Sequence, residues 1–293
     1  MSAPRVALFT DLLDWHAEAL LAAFDAAGAR ATAVRLADCG FDTAAPGGLL
    51  IPGAWGAGGL PDAAFVRSLN GGSFEAVTKR LSVLHALDAL GVPVWNTARA
   101  IERCVDKAAT CFLLGRAGVP TPPCWTVEGR AAAAAVLAQA GGEVVVKPLF
   151  GAQGRGLLRV RRAEELPDEA AVDGVYHLQR FVEVEGSFHD HRILVCDGAP
   201  FAAMTRRGQD WITNVQRGGV PEPFAPDDAM AALAVRAAAA VGASVAGVDM
   251  IRGRDGAVHV LEVNSMPGWR GLQTVTQASV AACLAGALLR ACG

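Results

Sequence analysis

The sequence predicts an N-terminal α/β unit followed by α+β units rich in antiparallel strands. Three observations support this fold class. Apolar runs alternate with amphipathic helical segments over residues 1–97, which is typical of a parallel sheet covered by helices. Residues 143–198 are rich in strand-like apolar runs. Residues 247–268, GVDMIRGRDGAVHVLEVNSMPG, hold two more runs around a tight turn.

The first unit is expected to contain two helices that cover its sheet. An apolar-periodic helix follows the first strand and ends near Gly28. The amphipathic segment 81–91 forms the second helix, closed by Gly91, a residue type that readily ends helices. The strands of this unit are expected at 5–10, 31–36, 48–52 and 92–96.

A new unit begins near residue 103. Asp106 is a good N-cap for a helix, and Gly118 followed by Pro120 is a good helix stop. A short strand and an Ala-rich helix come next, before the strand-rich segment. The remaining expected elements are a helix at about 227–241, a hairpin at 247–268 and a final helix at 278–289.

Composition excludes several classes of partner. The 293 residues carry a net charge of −3, which gives no electrostatic reason to bind nucleic acid. The longest uncharged apolar stretch, 278–289, is too short to span a bilayer, and the N-terminus lacks the layout of a signal peptide. The seven cysteines include no C-x-x-C pair, and Cys104 and Cys111 are assigned to packing on one helix. The sequence therefore predicts a reduced, cytoplasmic protein without a nucleic-acid or membrane partner.

Polar residues interrupt the predicted hairpin. Asp255 and Gly256 form a strong two-residue turn, which places Asp249 directly opposite Glu262 and puts Asn264 on the same face as Glu262. Opposed like charges repel, and buried carboxylates are unfavourable unless they are paired or bind a metal. Three oxygen-bearing side chains on one face suit Mg²⁺. The alternative is a solvent-facing edge strand with ordinary polar residues.

A glycine-rich loop separates two predicted strands in 144–160, VVVKPLFGAQGRGLLRV. Lys147 ends the first strand, and Gly151, Gly154 and Gly156 let backbone N–H groups approach an anion. The loop is not a P-loop, because the lysine precedes it and no G-K-[ST] occurs, and no helix follows it as a dinucleotide fingerprint requires. A plain turn is the alternative.

Lys107 falls in the first turn of the helix that Asp106 caps, where the helix dipole disfavours a cation. A phosphate bound near this helix end would reverse that argument. An exposed lysine without a function is the alternative.

Arginines and acids concentrate between these elements. Asp190 and Arg192 share one strand face, and Arg206, Arg207, Asn214 and Arg217 follow within one segment. Local arginines in an acidic protein indicate an anionic substrate, with a solvated charged face as the alternative. His189 and His191 flank Asp190 without a third metal ligand at suitable spacing.

Taken in order, these motifs resemble the ATP-grasp superfamily. They are Asp-Lys before a helix, Val-Lys-Pro with a Gly-rich loop, Gln-Arg-Phe-Val, Asp-x-Arg, Arg-Arg, Asn-x-x-Arg-Gly-Gly, Gly-Val-Asp and Glu-Val-Asn-x-x-Pro-Gly. More narrowly, the chain is similar to the RimK-like carboxylate–amine ligases. The resemblance implies an ATP-grasp fold in which an N-terminal Rossmann-like domain (1–97) precedes a central lobe (98–180) and a C-terminal lobe (181–293) that enclose ATP.

The resemblance also implies roles for individual residues. Phosphates would contact Lys107, Lys147 and the loop glycines 151, 154 and 156, adenine would meet Gln179, Arg180, Phe181 and Val182, and the ribose would lie near Asp190. Mg²⁺, which Mn²⁺ can replace, would bind Asp249, Glu262 and Asn264. The transferred phosphoryl group and the substrate carboxylate would lie among Arg192, Arg207, Asn214 and Arg217, the catalytic set. Arg67 would help to hold the amine acceptor or glutamate, with a surface arginine as the alternative, and whether Arg67 or Arg206 contacts substrate stays open.

The implied reaction is ADP-forming C–N ligation through an acyl phosphate. Such transfer needs positioning and charge neutralisation more than a protein nucleophile. The segments 65–96 and 210–219 look most like α-L-glutamate ligases of tetrahydromethanopterin-type cofactor biosynthesis. Small carboxylate and amine substrates, including L-glutamate, and a homo-oligomer are therefore expected.

Four other functions are the alternatives. Two are related ligases, one that modifies a protein C-terminus and one that modifies a carrier protein of lysine biosynthesis. Ile212 stands where RimK itself has an arginine, which weakens the case for the ribosomal acceptor. A non-catalytic ATP-binding regulatory module is compatible with the fold, since fold does not determine function. A nucleotide-dependent dehydrogenase is disfavoured, because no glycine fingerprint follows the first strand.

Overall fold

The N-terminal unit is built on a parallel sheet. The computed structural model describes residues 2–55, 59–151 and 154–292. In chain order the first elements are β1 (Arg5–Phe9), α1 (Trp15–Ala26), β2 (Arg30–Val34), β3 (Gly40–Phe41), β4 (Leu49–Leu50), β5 (Ala63–Val66), α2 (Phe74–Ala89) and β6 (Val94–Trp95). Four strands form the parallel sheet in the order β2-β1-β5-β6. The predicted α/β arrangement, its two helices and the strands near 5–10, 31–36 and 92–96 are confirmed.

The strand predicted at 48–52 was wrong as a member of this sheet. Leu49–Leu50 pairs antiparallel with Gly40–Phe41 instead, and the strand beside β1 is Ala63–Val66. Leu49 and Ile51 are nevertheless buried in the core. The apolar residues of this segment are therefore explained by its burial as a connection between sheet strands. They do not indicate pairing in the parallel sheet.

The central unit has an antiparallel sheet in the order β7-β10-β8-β9. Its elements are α3 (Ala98–Val105), α4 (Lys107–Arg116), β7 (Cys124–Glu128), α5 (Arg130–Ala140), β8 (Val144–Lys147), β9 (Leu158–Val160) and β10 (Val175–Arg180). Asp106 caps α4 as predicted, since its carboxylate accepts hydrogen bonds from the N–H groups of Ala108 and Ala109. The same residue ends α3, so Cys104 and Cys111 lie on two helices rather than on one.

The C-terminal unit has a five-stranded antiparallel sheet in the order β13-β12-β11-β14-β15. Its elements are β11 (His189–Cys196), β12 (Ala199–Arg207), β13 (Val220–Pro223), α6 (Asp228–Val241), β14 (Val245–Arg252), β15 (Val258–Asn264), α7 (Arg270–Thr274) and α8 (Val280–Ala291). The predicted helices near 227–241 and 278–289 are confirmed. The final helix returns to the first unit, where Leu284 and Leu288 share a core with Leu20 and Phe24.

The hairpin has the predicted pairing of Asp249 with Glu262 but reaches it differently. The N–H of Gly253 donates to the carbonyl of Ala257, so the turn is one residue longer than the two-residue turn that the sequence suggests. A bulge then restores the register, because Met250 pairs with Val260 while Asp249 pairs with Glu262. The extra residue at this bulge is Leu261.

Asn96 joins the N-terminal unit to the C-terminal sheet. Its buried amide donates to the carbonyls of Val245 (2.7 Å) and Ser265 (2.6 Å), and its oxygen accepts from the N–H of Val245 (3.0 Å). Buried backbone groups need such partners because water cannot reach them. The domain limits at 97/98 and 180/181 stay a prediction. In the part of the chain that the structure describes, no helix is long and apolar enough to cross a membrane.

Replacing Asn96 with Ala should lower the free energy of unfolding by about 2–4 kcal/mol, because three buried backbone groups would lose their partners. Chemical denaturation of the full chain measures this loss. Asn70→Ala, at an exposed position, is the control and should change stability by less than about 0.5 kcal/mol. Equal stabilities of the two variants would contradict the role of Asn96.

Candidate active site

A cleft lies between the central sheet and the five-stranded sheet. It encloses about 840 Å³, counting the solvent in its mouth. Most of the site residues predicted from the sequence line it. They are Lys107, Lys147, Gly151, Gly154, Gln179, Arg180, Phe181, Val182, Asp190, Asn214, Asp249 and Glu262.

Three buried side chains form the floor of this cleft, and the half-buried Arg192 behind them completes a chain of alternating charge. Arg206 bonds both carboxylate oxygens of Asp190, with Nε at 2.7 Å from Oδ1, and its Nη2 lies 3.0 Å from Oδ2 of Asp249. Arg192 bonds both oxygens of Asp249 at 2.6 and 2.7 Å. The sheet register produces this chain, since Asp190 pairs with Arg206 and Arg192 pairs with Asp249 across neighbouring strands.

The chain of charges changes the expectation for Asp249. Burial opposes the ionised form, but the guanidinium groups of Arg192 and Arg206 outweigh it and hold the pKa of Asp249 well below its usual range. The carboxylate of Asp249 is therefore ionised and compensated without a metal. The predicted repulsion from Glu262 is not what governs Asp249, because Glu262 acts as a hydrogen-bond partner that adds to the lowering of this pKa by the two arginines.

Strand alternation separates Arg206 from Arg207. Successive side chains of a strand point to opposite faces, so only one of the pair can reach the cleft. Arg206 is the buried one, at 3% side-chain exposure. Arg207 is 44% exposed, bonds Glu222 at 3.0 Å and donates to the hydroxyl of Ser187. The expectation that Arg207 borders the transferred phosphoryl group thus does not fit its placement.

Two lysines meet at one end of the cleft. Nζ of Lys147 donates to Oε1 of Gln179 at 2.6 Å, and Nζ of Lys107 donates to the carbonyls of Leu149 (3.2 Å) and Gly151 (2.9 Å). Burial lowers the pKa of Lys107; the charge of Glu262 opposes this shift and that of Lys147 adds to it. Beside them, burial and the two lysine charges lower the pKa of His177 to about 3, so its imidazole is neutral at pH 7.

Gln179 connects the central sheet to the C-terminal sheet. Its side chain is buried, and its Nε2 lies 3.4 Å from the carbonyl oxygen of Leu261 and 3.4 Å from Sγ of Cys124. Leu261 is the extra residue of the β15 bulge, and its carbonyl is released from the ladder by that irregularity. One amide therefore positions Lys147 and also joins the two walls of the cleft.

The glycine-rich loop approaches the segment after β12. A Cβ on Gly154, whose φ is +70°, would lie 2.6 Å from Oδ1 of Asn214 and 2.9 Å from a methyl carbon of Ile212. A side chain at Gly154 would therefore collide with this segment. Gly156 has φ +67° and would collide with the ring of Pro148. Residues 152 and 153 of this loop lie outside the described residues.

The segment after β10 forms the side wall of the cleft. The N–H groups of Arg180 and Phe181 donate to the carbonyls of Pro123 and Glu143, so they are already occupied. Among the described residues, the N–H of Val182 has no recorded partner. The ring of Phe181 packs under the guanidinium of Arg159 at 4.0 Å.

Glu262 and Asn264 lie close together at the edge of the sheet. Nδ2 of Asn264 donates to Oε1 of Glu262 at 3.0 Å, and within the described residues no donor reaches Oε2 of Glu262. Asn264 lines a smaller adjoining cavity together with Glu262, Lys107 and Lys147. Carboxylate and amide oxygens are suitable donors for a hard cation, so these residues fit Mg²⁺.

The remaining predicted residues are not brought to the walls of the cleft. Arg217 lies exposed in the segment after Asn214, and Gly156 is not among the loop residues that line the cleft. Arg192 lies behind Asp249, with Nη1 at 3.3 Å from the carbonyl of Gly268. Sequence reasoning left Arg206 without a role and missed Trp211, which lines the cleft beside Phe181. Strand alternation was the available signal for Arg206, but using it required the register of β12.

Comparisons with known proteins identify the family to which this chain belongs. Residues 104–288 match the RimK-like ATP-grasp domain. The chain is 31% identical over 245 residues to the tetrahydromethanopterin:α-L-glutamate ligase of Methanosarcina acetivorans, covering 72% of this chain and 74% of that one. It is 34% identical over 231 residues to the enzyme of the same name from Methanocaldococcus jannaschii, covering 75% and 76%. The ATP-grasp ligase PsnB, solved with a phosphomimetic precursor variant, Mg and ADP, matches at TM-score 0.76 and 20% identity over 100% of both chains.

The chain belongs to the RimK-like ATP-grasp family. The predicted ATP-grasp fold is confirmed. The predicted reaction class is also confirmed, and the chain is an ATP-dependent C–N ligase. ATP is the nucleotide of this family, and the ATP-grasp ligase PsnB has been solved with Mg and ADP.

Asp249→Asn and Glu262→Gln should differ in stability although both remove one negative charge. Asp249→Asn takes the paired carboxylate from Arg192 and one of two carboxylate partners from the buried Arg206, and should lower the free energy of unfolding by about 3–5 kcal/mol. Glu262→Gln removes a half-buried carboxylate on an edge strand, which accepts a hydrogen bond from Nδ2 of Asn264, and should cost less than about 1 kcal/mol. Chemical denaturation without nucleotide or Mg²⁺ compares the two, and equal losses would contradict the compensation of Asp249.

Proposed function

We propose that this chain is an α-L-glutamate ligase acting on a small carboxylated cofactor. A carboxylate oxygen of the acceptor attacks the γ-phosphorus of ATP, forming an acyl phosphate and releasing ADP. The amino group of L-glutamate then attacks the acyl carbon, the amide forms and inorganic phosphate leaves. The observation that carries the proposal is the convergence of Lys107, Lys147 and Glu262 at one end of a cleft whose floor is a buried chain of charges. The names of the relatives support glutamate and the pterin-type acceptor.

The nucleotide would enter with its base beside the segment Gln179–Val182. The N–H of Val182 is the donor available to adenine, because the preceding two N–H groups are already bonded. The apolar side chains of Val145, Ile251 and Leu261 line the same part of the cleft and would contact the faces of the base. The phosphates would then extend toward the two lysines and the glycine-rich loop.

Mg²⁺ would bind on the opposite wall from the glycine-rich loop. We assign it to Glu262 and Asn264, with Asp249 as a contributor whose oxygens are shared with Arg192 and Arg206. The ion would neutralise phosphate charge as the γ-phosphoryl group leaves ADP. Mn²⁺ can replace Mg²⁺, because both accept oxygen ligands in octahedral geometry.

The arginines would contribute in two ways, some from the floor of the site and one from the exposed segment after β12. Arg192 and Arg206 contribute fixed positive potential through the floor, which favours negative charge on the phosphoryl group and the substrate carboxylate. Asn214 borders the cleft, and Arg217 follows in the same segment, so a movement of this segment could add its charge to the bound substrate. Arg207 stays paired with Glu222 and would contribute little.

A second carboxylate would bind at Arg67. This guanidinium is mostly buried, its nearest acid is Asp14 at 3.7 Å, and it lies 5.3 Å from the ring of Trp269. In the described part of the chain, Nε of Arg67 and Nε1 of Trp269 are buried without hydrogen-bond partners. Arg192 reaches the carbonyl of Gly268, the residue before Trp269, which connects Arg67 to the floor. A carboxylate of glutamate or of the acceptor would pair with the terminal nitrogens of this guanidinium.

The other expected properties stay predictions. They are a homo-oligomer and a cytoplasmic location without nucleic-acid or membrane partners. The rival functions are a ligase that modifies a protein C-terminus, a ligase for the carrier protein of lysine biosynthesis and a non-catalytic ATP-binding module. The product assay described next separates all three from the proposal.

Incubation with ATP, Mg²⁺, amino acids and carboxylated pterin cofactors should release ADP and phosphate only when L-glutamate and an acceptor are both present. Mass spectrometry should detect the acceptor bearing an added glutamate. A glutamylated peptide or carrier protein as the preferred product would support a rival ligase. AMP as the stoichiometric product, or no nucleotide turnover with any acceptor, would overturn the proposal.

Lys147→Met should weaken ATP binding about ten- to a hundredfold, because a charge-assisted contact worth about 1.4–3 kcal/mol is lost. Calorimetry with non-hydrolysable ATP and Mg²⁺ measures this affinity. Arg116→Met removes an exposed charge at the far end of α4 and should bind nucleotide as the wild type does. Unchanged affinity for Lys147→Met would remove this lysine from the phosphate site.

A further inference from the structure

Three metal-ligating side chains lie together beneath the phosphate end of the cleft. They are Cys111 of α4, Cys124 of β7 and His177 of β10, and one ligand atom from each lies within 4.8 Å of the others. In the part of the chain that the structure describes, no other group of three or more His, Cys, Asp or Glu side chains brings its ligand atoms within this distance. The proposed ATP site does not use any of the three.

The geometry of this group suits a tetrahedral ion. Tetrahedral zinc has Zn–S distances of about 2.3 Å and Zn–N distances of about 2.0 Å, which separates neighbouring donor atoms by roughly 3.5–3.8 Å. The two Sγ atoms are 3.0 Å apart, so small side-chain rotations would open them to this spacing. All three ligand atoms lie within 4.8 Å of one another, so shifts of about 1 Å would bring them to this spacing.

The imidazole of His177 is oriented and protonated as a metal ligand requires. Its Nδ1 lies 2.8 Å from Oγ1 of Thr126, so Nε2 is the nitrogen that remains for coordination. A hydrogen bond to the non-ligating nitrogen is the usual way in which proteins orient a metal-bound histidine. The ring is buried at 1% exposure and neutral, which is the protonation state that binds cations.

The charges and the surrounding space are also suitable. A divalent ion with two thiolates and a neutral imidazole has no net charge, so the nearby Lys147 neither repels it strongly nor needs a new partner. A small cavity lined by Cys111, His177, Thr110 and Lys107 borders the group and gives an ion or a fourth ligand access to it. Thiolate and imidazole donors select zinc over the magnesium that accompanies ATP.

We infer that Cys111, Cys124 and His177 bind one thiophilic divalent cation, with zinc as the preferred ion, at a site separate from that of Mg²⁺–ATP. Binding replaces the two thiol protons, which pass to solvent, and forms two metal–sulfur bonds and one metal–nitrogen bond. The ion would join α4, which begins at Lys107, to β10, which carries Gln179. It would thereby hold both phosphate-binding lysines in place from behind.

The test titrates the reduced, metal-free full chain with Co²⁺ in the absence of nucleotide and Mg²⁺. We expect one equivalent to bind with a thiolate-to-cobalt charge-transfer absorption, and Zn²⁺ to displace it. Cys111→Ser and Cys124→Ser should abolish this absorption. The matched control is the double variant Cys196→Ser, Cys283→Ser, which changes a second thiol pair near α8. This control should retain the charge-transfer absorption.

A milder variant guards against misfolding. Thr126→Val removes only the hydroxyl that orients His177 and should weaken Zn²⁺ binding about ten- to a hundredfold, while circular dichroism without metal stays unchanged. The inference is overturned if the reduced wild-type chain binds no stoichiometric Co²⁺ or Zn²⁺. It is equally overturned if metal binding persists in Cys111→Ser. If the chain loses the mass of two hydrogen atoms in air and binds no metal when reduced, the pair is a disulfide-forming site instead.

Discussion

The alternating chain Asp190–Arg206–Asp249–Arg192 is the interaction on which the active cleft depends. Asp190, Arg206 and Asp249 are buried under the substrate site and Arg192 is half-buried beside them, so the removal of any one of the three buried groups would leave an uncompensated charge away from water. Bidentate pairing at 2.6–2.7 Å repays part of the desolvation of each group. The result is a rigid floor whose charges hardly need to reorganise when phosphate and carboxylate arrive.

Two buried amides bridge the units beside the apolar cores that these units share. Gln179 bonds Lys147 on its own sheet and the released carbonyl of Leu261 on the other. Asn96 does the same between the N-terminal unit and the C-terminal sheet. Amides can donate and accept at once, so a single side chain satisfies groups from two elements. Positioning by such contacts suits a reaction that proceeds through charge neutralisation rather than through a protein nucleophile.

The hairpin illustrates how a correct conclusion can follow from an incomplete local argument. The sequence indicated a two-residue turn and hence the pairing of Asp249 with Glu262. The structure has a longer turn and a compensating bulge at Leu261, which leaves that pairing intact. Turn residues indicate that a turn exists, but they do not reveal a bulge several residues away. The bulge is functional here, because it frees the carbonyl that Gln179 contacts.

The sequence by itself determined the order of the elements, the caps and the residues from which the site is drawn. Apolar periodicity, Asp106 before its helix, and the lysine before the glycine-rich loop are local features, and local physics suffices to interpret them. Only the tertiary structure decided which of Arg206 and Arg207 faces the cleft, that Asp249 is neutralised by two arginines, and that Cys111, Cys124 and His177 meet. These outcomes depend on strand register and on contacts between residues distant in the chain. A shift of one residue in pairing reverses every side chain of a strand, and sequence periodicity alone does not specify that shift.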